Sequence, residues 1–358
     1  MITEVESSFG SPVHATLYDV RQAFMPPPEL TVSQFSDQEI VLTSGPLAGT
    51  KWQTDFAPYQ RGILDAVHEV GVEFIVVKGS SQWGKTACAV NIVAYHIGHD
   101  PCHILIVEPT VDPMARDFAK NRLEPTIKAS PMLAAVVDKK RAKDASNTTL
   151  SKTFRGGSLA MAGANSAASL AARPVRLLVL DEVDRYPPSL PGEGATLSVA
   201  IKRTTTYRSR RRVVMLSSPT LEDAPIDAYY KRGDQRKYFV PCPGCKHMHP
   251  YEWKNVIWGH KKNDEDPDGP LIPDPSSARL YCPECKYPID DNERVAILKD
   301  GEWRATAPGR ADHRYISFHL WEAYSPMSSL TEIVANFLAA NKAKKAGDPE
   351  EMHTWQNT

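Results

Sequence analysis

An α/β fold is predicted: a mostly parallel β-sheet with flanking helices, followed by a small subdomain built on four cysteines. Three observations carry this. Apolar, β-branched runs of strand length alternate with stretches of helical spacing, the pattern of βαβ units. A glycine-bounded loop joins the first such run to the first such helix. Two Cys-x-x-Cys pairs stand outside the alternation, late in the chain. The length of 358 residues suits two to three domains. With 42 Lys+Arg against 43 Asp+Glu, the net charge of −1 excludes a wholly basic nucleic-acid binder, though not a local basic face. No apolar run approaches the ~18 residues that a membrane-spanning helix needs. The N-terminal MITEVESSFG lacks the basic and apolar regions of a signal peptide. The expectation is a reduced, cytoplasmic protein.

In chain order, residues 1–50 are expected to form an N-terminal helical segment and 51–237 the α/β core. The cysteine subdomain is placed at 238–300, and a connecting region at 301–358. The core starts with EFIVVK from Glu73 to Lys78, a buried-strand candidate. The helix after it would carry Ala87, Val90, Val93, Ala94 and Ile97 on one side. Between the two, Gly79-Ser80-Ser81-Gln82-Trp83-Gly84-Lys85-Thr86 fits G-x-x-x-x-G-K-[ST] at every position. Such glycines let backbone N–H groups curl around phosphates, and the helix N-terminus adds its positive dipole end. Lys85 would reach the β- and γ-phosphates of ATP, and the Thr86 hydroxyl would bind Mg²⁺. The fold class is therefore a P-loop NTPase, RecA/ASCE-like. Before the loop, Gln60 sits at the start of a helix. Its amide can donate to and accept from an adenine edge, although exposed helix glutamines are common.

The partner of such a loop is an apolar strand ending in acid, and Arg176-Leu-Leu-Val-Leu-Asp181-Glu182 supplies one. Four consecutive aliphatics suit a strand covered on both faces. Asp181 would hold Mg²⁺ through water, and Glu182 would polarise the water that attacks the γ-phosphate. Asp184 is read as a local cap or pair. Two more units complete the sheet: His103 to Thr110 before a helix at Met114 to Ile127, and Arg212 to Thr220 before a helical Asp227 to Lys231. Ser217, Ser218, Pro219 and Thr220 would lie at the carboxyl edge, where ligands bind in open α/β sheets. There their hydroxyls would sense the γ-phosphate; an ordinary turn is the alternative.

Cys242, Cys245, Cys282 and Cys285 form two knuckles that supply four sulfurs, the tetrahedral set of a closed, structural Zn²⁺ site. Two disulfides or unpaired thiols are the alternative in chemistry, disfavoured in a cytosolic chain. The spacer between the pairs is expected to carry two strands, with Asn263 to Pro275 as their loop. His247 and His249 are surplus ligands, and Cys88 and Cys102 read as core. Lys202, Arg203, Arg208, Arg210, Arg211 and Arg212 make the densest basic cluster, either a phosphate-neutralising face for DNA or a solvated junction. Lys139, Lys140, Arg141 and Lys143 make a second cluster.

Together these motifs resemble the large terminase subunits of tailed bacteriophages, in particular the lambda-like family with a zinc ribbon. GSSQWGKT is similar to that family's Walker A motif, LLVLDEVDRYP to its Walker B region, LSSPT to its coupling motif, and CPGC with CPEC to its ribbon. The likeness runs from about residue 30 to 358. It implies an ATP-hydrolysing motor that moves double-stranded DNA into a procapsid in the host cytoplasm. It also implies a portal, a small terminase subunit and a homo-oligomeric ring as partners, with no membrane. Two departures stand out. The loop interior, Ser80 to Trp83, lacks the arginine found in many terminases. Arg173 lies where some terminases present an arginine to the neighbouring subunit, so it is the candidate finger; a simple ion pair is the alternative, and Arg155 is the runner-up. The stretch after Cys285 offers no carboxylate set for the nuclease that follows in the family, so the chain is expected to be the motor portion of a longer protein. The rival readings are a DExx-type zinc-containing helicase and a non-catalytic zinc scaffold with a degenerate nucleotide site.

Overall fold

The β-branched runs fold as strands because each is buried on both faces between helices, where a pleated apolar ribbon loses least. The computed structural model describes residues 29–137, 148–170, 173–219, 224–263, 266, 268–310 and 312–357. In chain order the strands are β1 Phe74–Gly79, β2 His103–Glu108, β3 Ser151–Phe154, β4 Gly157–Gly163, β5 Leu177–Asp181, the short pair β6 Ser189–Leu190 and β7 Gly194–Ala195, and β8 Arg212–Ser217. There follow β9 Arg236–Pro241, β10 Met248–Pro250, β11 Val256–Lys261, β12 Ile272–Tyr281, β13 Pro288–Ile289, β14 Glu302–Arg304 and β15 Tyr315–Leu320.

Ten of these make one sheet in the order β10-β9-β15-β1-β8-β5-β2-β4-β3, with β14 on the outer side of β9. The seven strands from β9 to β4 run parallel. β3, β10 and β14 are antiparallel to their neighbours. β8 separates β1 from β5, as a RecA/ASCE-like order requires. The core packs Phe74, Val76, Leu105, Val107, Leu178, Leu180, Val213 and Met215 on one face of the sheet. The helix Lys85–Gly98 is buried from Cys88 to Ile97, around its whole circumference rather than along one stripe.

Three differences from the expected layout have physical causes. The sheet does not stop at residue 237: β15, read as connecting region, pairs along β1 from Phe74↔Tyr315 to Gly79↔Leu320. The cysteine subdomain is thus an insertion between strands of one sheet. The stretch from Met114 to Ile127 is helical but winds in wide π-type turns over Val111–Ala115 and Phe118–Leu123 before an α-helix, Glu124–Ala129, with proline in its first turn. The spacer loop is shorter than Asn263 to Pro275, because β12 already begins at Ile272 and pairs antiparallel with β11. Of the N-terminal segment, the described part includes the helix Val32–Glu39, closed by a capping box of Thr31 and Gln34. Lys139, Lys140, Arg141, Lys143 and Thr220 lie outside the described residues. Among the described residues no helix is long and apolar enough to cross a membrane.

Candidate nucleotide site and four-cysteine centre

Four neighbouring strands, β1, β8, β5 and β2, end on the same edge of the sheet, at Gly79, Ser217, Asp181 and Glu108. The loop from Gly79 to Thr86 leaves this edge and enters the helix Lys85–Gly98. Gly84 adopts φ +96°, and a Cβ there would meet the Gln60 amide nitrogen at 2.2 Å, so glycine is needed on both counts. The Trp83 ring lies fully buried against Gly79, with its Nε1–H unpartnered. Ser80 is buried, Ser81 and Thr86 half-buried, and Gln82 exposed at φ +68°.

Gln60 is committed to this loop: its Nε2 donates to the Trp83 carbonyl at 2.9 Å. The Tyr59 hydroxyl donates to the same oxygen at 3.0 Å, a brace that sequence reasoning missed. Both residues, with Trp52, Phe56 and Met327, line a cavity of about 340 Å³ beside the loop. Replacing Gln60 with Ala removes one brace, and ATP KM is expected to rise by about 3–10-fold with kcat little changed, as loss of one hydrogen bond gives. Steady-state phosphate release checks it; an unchanged KM would show that the brace is idle.

On the opposite side of the loop, Lys85 Nζ bonds Glu182 Oε1 and lies 3.3 Å from Ser218 Oγ. One lysine therefore touches the groups that follow β5 and β8. Glu182 is held in the left-handed region at φ 52°, ψ 49°, a conformation that costs a non-glycine residue about 1–2 kcal/mol. Its N–H donates to Asp181 Oδ1 at 3.0 Å, and its carbonyl accepts from Arg185 N–H at 2.9 Å. That turn aims the carboxylate back at Lys85. Asp181 is 5% exposed, and burial with the neighbouring Glu182 charge pushes its carboxyl up to about 6 despite Lys85. Asp184 is the local cap expected: its Oδ1 accepts from Ile226 N–H at 2.8 Å, in the first turn of the helix Pro225–Tyr230. Its own N–H donates to Ser217 Oγ at 3.3 Å.

A third carboxyl was not anticipated. Glu108 ends β2 and is 3% exposed; burial, then Asp181 and Glu182, push it up to about 9. Its signal in the sequence is an acid at the end of an apolar strand, the same signal that marks Asp181.

Arg173 is exposed and precedes the amino end of β5, whereas Asp181 closes its carboxyl end. A five-residue strand spans about 13 Å. Arg173 is thus not gathered with Lys85 and Glu182, and it makes no ion pair with a described residue. Arg155 is exposed in the β3–β4 turn. The basic cluster divides. Arg211 pairs with Glu73 at 2.6 Å over the Phe74 ring, and Arg212 donates to the Val67 carbonyl at 2.6 Å, so both serve the fold. Lys202, Arg208 and Arg210 remain exposed.

Further along the chain the four cysteine sulfurs lie within 4.8 Å of one another, the sole such cluster of possible ligands among the described residues. Sγ of Cys242 and Cys285 are 3.7 Å apart, and those of Cys245 and Cys282 3.8 Å. A tetrahedron of Zn–S bonds of about 2.3 Å requires edges of about 3.8 Å. These distances exclude disulfides and fit a zinc ion. The knuckles are backbone copies. Cys242 N–H bonds His247 O and Lys246 N–H bonds Cys242 O, while Cys282 N–H bonds Tyr287 O and Lys286 N–H bonds Cys282 O. Lys246 and Lys286 turn the chain at φ 63° and 60°. The Tyr287 N–H helps hold the Cys285 thiol down at about 7. His247 and His249 stack on each other outside the sulfur set, and Cys88 and Cys102 are buried in the core.

A parallel sheet, a glycine-bounded phosphate loop and an acid-ended strand two places away define a P-loop nucleotide-binding protein with an inserted four-cysteine ribbon. The family model described as phage terminase large subunit gpA, ATPase domain, matches residues 47–303. The chain belongs to that family. A second model, terminase large subunit gpA, endonuclease domain, matches residues 315–358. The chain is 26% identical over 331 residues to a terminase large subunit of Enterobacteria phage P21, covering 86% of this chain and 48% of the relative. It is 24% identical over 368 residues to that of Escherichia phage lambda, covering 96% and 54%. It thus spans about half the length of the curated relatives it matches. The solved large terminase ATPase domain of Thermus phage P74-26 aligns over 85% of this chain and 94% of its own, at 12% identity and a TM-score of 0.44.

Proposed function

We propose that the chain binds and hydrolyses ATP, and that hydrolysis drives double-stranded DNA into a procapsid. The observation that carries the reading is the convergence of Lys85, Glu182 and Ser218. Lys85 and the loop N–H groups would bind the phosphate tail, with Thr86 and Asp181 holding Mg²⁺. The metal, when bound, neutralises charge on the phosphates. A γ-phosphate would compete with Glu182 for the Lys85 ammonium. In this reading nucleotide binding draws Lys85 toward the phosphate and frees Glu182 to take the attacking water's proton. The Ser218 contact is broken in the same event, which passes the change to β8. Cys242, Cys245, Cys282 and Cys285 would hold one structural Zn²⁺. Exposed Lys202, Arg208 and Arg210 would neutralise DNA phosphates without reading bases. A ring of copies, the portal and a small subunit, in the host cytoplasm, complete the proposal.

Phosphate release stimulated by duplex DNA and procapsids is the test. Activity that unwinds duplexes would point to a helicase instead. Arg173, supplied to a neighbouring copy, is expected to contribute about 10³–10⁵ to the assembled rate. Arg173→Ala should abolish stimulated turnover yet leave ATP binding by the isolated chain unchanged; full stimulated activity would remove it from the site.

A further inference from the structure

Glu108 stands level with Asp181, because the register pairs Val107 with Leu180 on the adjacent strand. It is 3% exposed, and its Oε1 has no hydrogen-bond partner. The charges that act on it are those of Asp181, Glu182, Lys85 and Asp117, and Lys85 is already bonded to Glu182 and Ser218. A buried polar atom left unpaired costs about 1–3 kcal/mol, more for a charged group. Packing alone gives no reason for this choice: an aliphatic side chain would fill the end of β2 without that cost. The position is also the edge where open α/β sheets bind ligands.

We propose that Glu108 is a positioning residue of the nucleotide site, its unpartnered carboxyl oxygen being completed by the water shell of the divalent metal that accompanies the nucleotide. The inference rests on the ATPase reading above. A small hard cation keeps several of its waters and takes only one or two carboxylates directly. Glu108 would accept O–H bonds from that shell and so help orient the waters that accompany the metal.

The test uses the full chain with ADP and Mn²⁺ as the probe, its affinity read by paramagnetic resonance. Outer-shell partners of a metal typically change affinity by about 10–100-fold. Glu108→Ala is expected to weaken Mn²⁺ binding by that factor, and Glu108→Gln, which keeps one acceptor oxygen, to restore part of it. ADP affinity without metal should be unchanged in both. The Gln variant is close in shape to the native residue, and its thermal unfolding without nucleotide should match or exceed wild type. If both folded variants bind Mn²⁺ as wild type does, the inference is overturned while the ATPase reading stands. If wild type itself binds no Mn²⁺ in the presence of ADP, both fall together.

Discussion

Glu182→Gln is expected to lower ATP turnover by about 10²–10⁴-fold, the range a positioned general base supplies. ATP binding should be retained within a few-fold. The amide keeps the shape and the left-handed backbone, held by Asp181 Oδ1 and Arg185 N–H, but can no longer accept a proton. It also removes the charge that competes with phosphate for Lys85. Affinity for ATP should therefore hold or rise while chemistry stops. Equilibrium nucleotide binding beside single-turnover phosphate release separates the two effects. Turnover at the wild-type rate would show that the water is activated elsewhere.

Stripping the four-cysteine centre should have the other large effect. Cys245 and Cys285 are exposed, so a chelator has access to the centre. Comparable structural sites contribute on the order of 10–16 kcal/mol, more than a small three-stranded sheet can supply from its own core. Metal loss is expected to melt β11, β12 and β13, read as loss of amide-exchange protection over residues 256–289. The damage should then reach the motor. Cys242 directly follows β9, and β9 pairs with β15, the strand beside β1. Weaker ATP binding after chelation, restored by zinc, is the expected sequence. One zinc per folded chain should be measured, and a fully folded metal-free protein would refute the assignment.

Local chemistry was legible in the sequence, and long-range partnership was not. β1, β2, β5 and β8 announced themselves because central parallel strands are apolar along their whole length. The phosphate loop and the cysteine knuckles were legible for the same reason: their backbone demands fall within a few residues. β15 has as apolar a run, YISFHL, but its place beside β1 depends on a pairing with a strand at the other end of the core. Arg211 and Arg212 looked like free positive charge, since Glu73 and the Val67 carbonyl cannot be guessed from neighbours in sequence. One Gln60 amide N–H donates to the Trp83 carbonyl, a contact across 23 residues that its sequence neighbours do not reveal. Glu108 carries the same local signal as Asp181, an acid closing an apolar strand, but only the adjacency of β2 and β5 brings it to the other carboxyls.

The insertion of β15 beside β1 also has a consequence during synthesis. A chain emerges at about 5–20 residues per second. Roughly 240 residues separate Phe74 from its partner Tyr315, so the phosphate-loop strand waits on the order of 10–50 s for its second neighbour. Until then one edge of β1, with Ile75, Val76 and Val77, is an open apolar edge of the kind that recruits foreign strands. The whole ribbon, Cys242 to Cys285, is synthesised inside that interval. Nascent chains paused before residue 315 should thus be the species most dependent on chaperones.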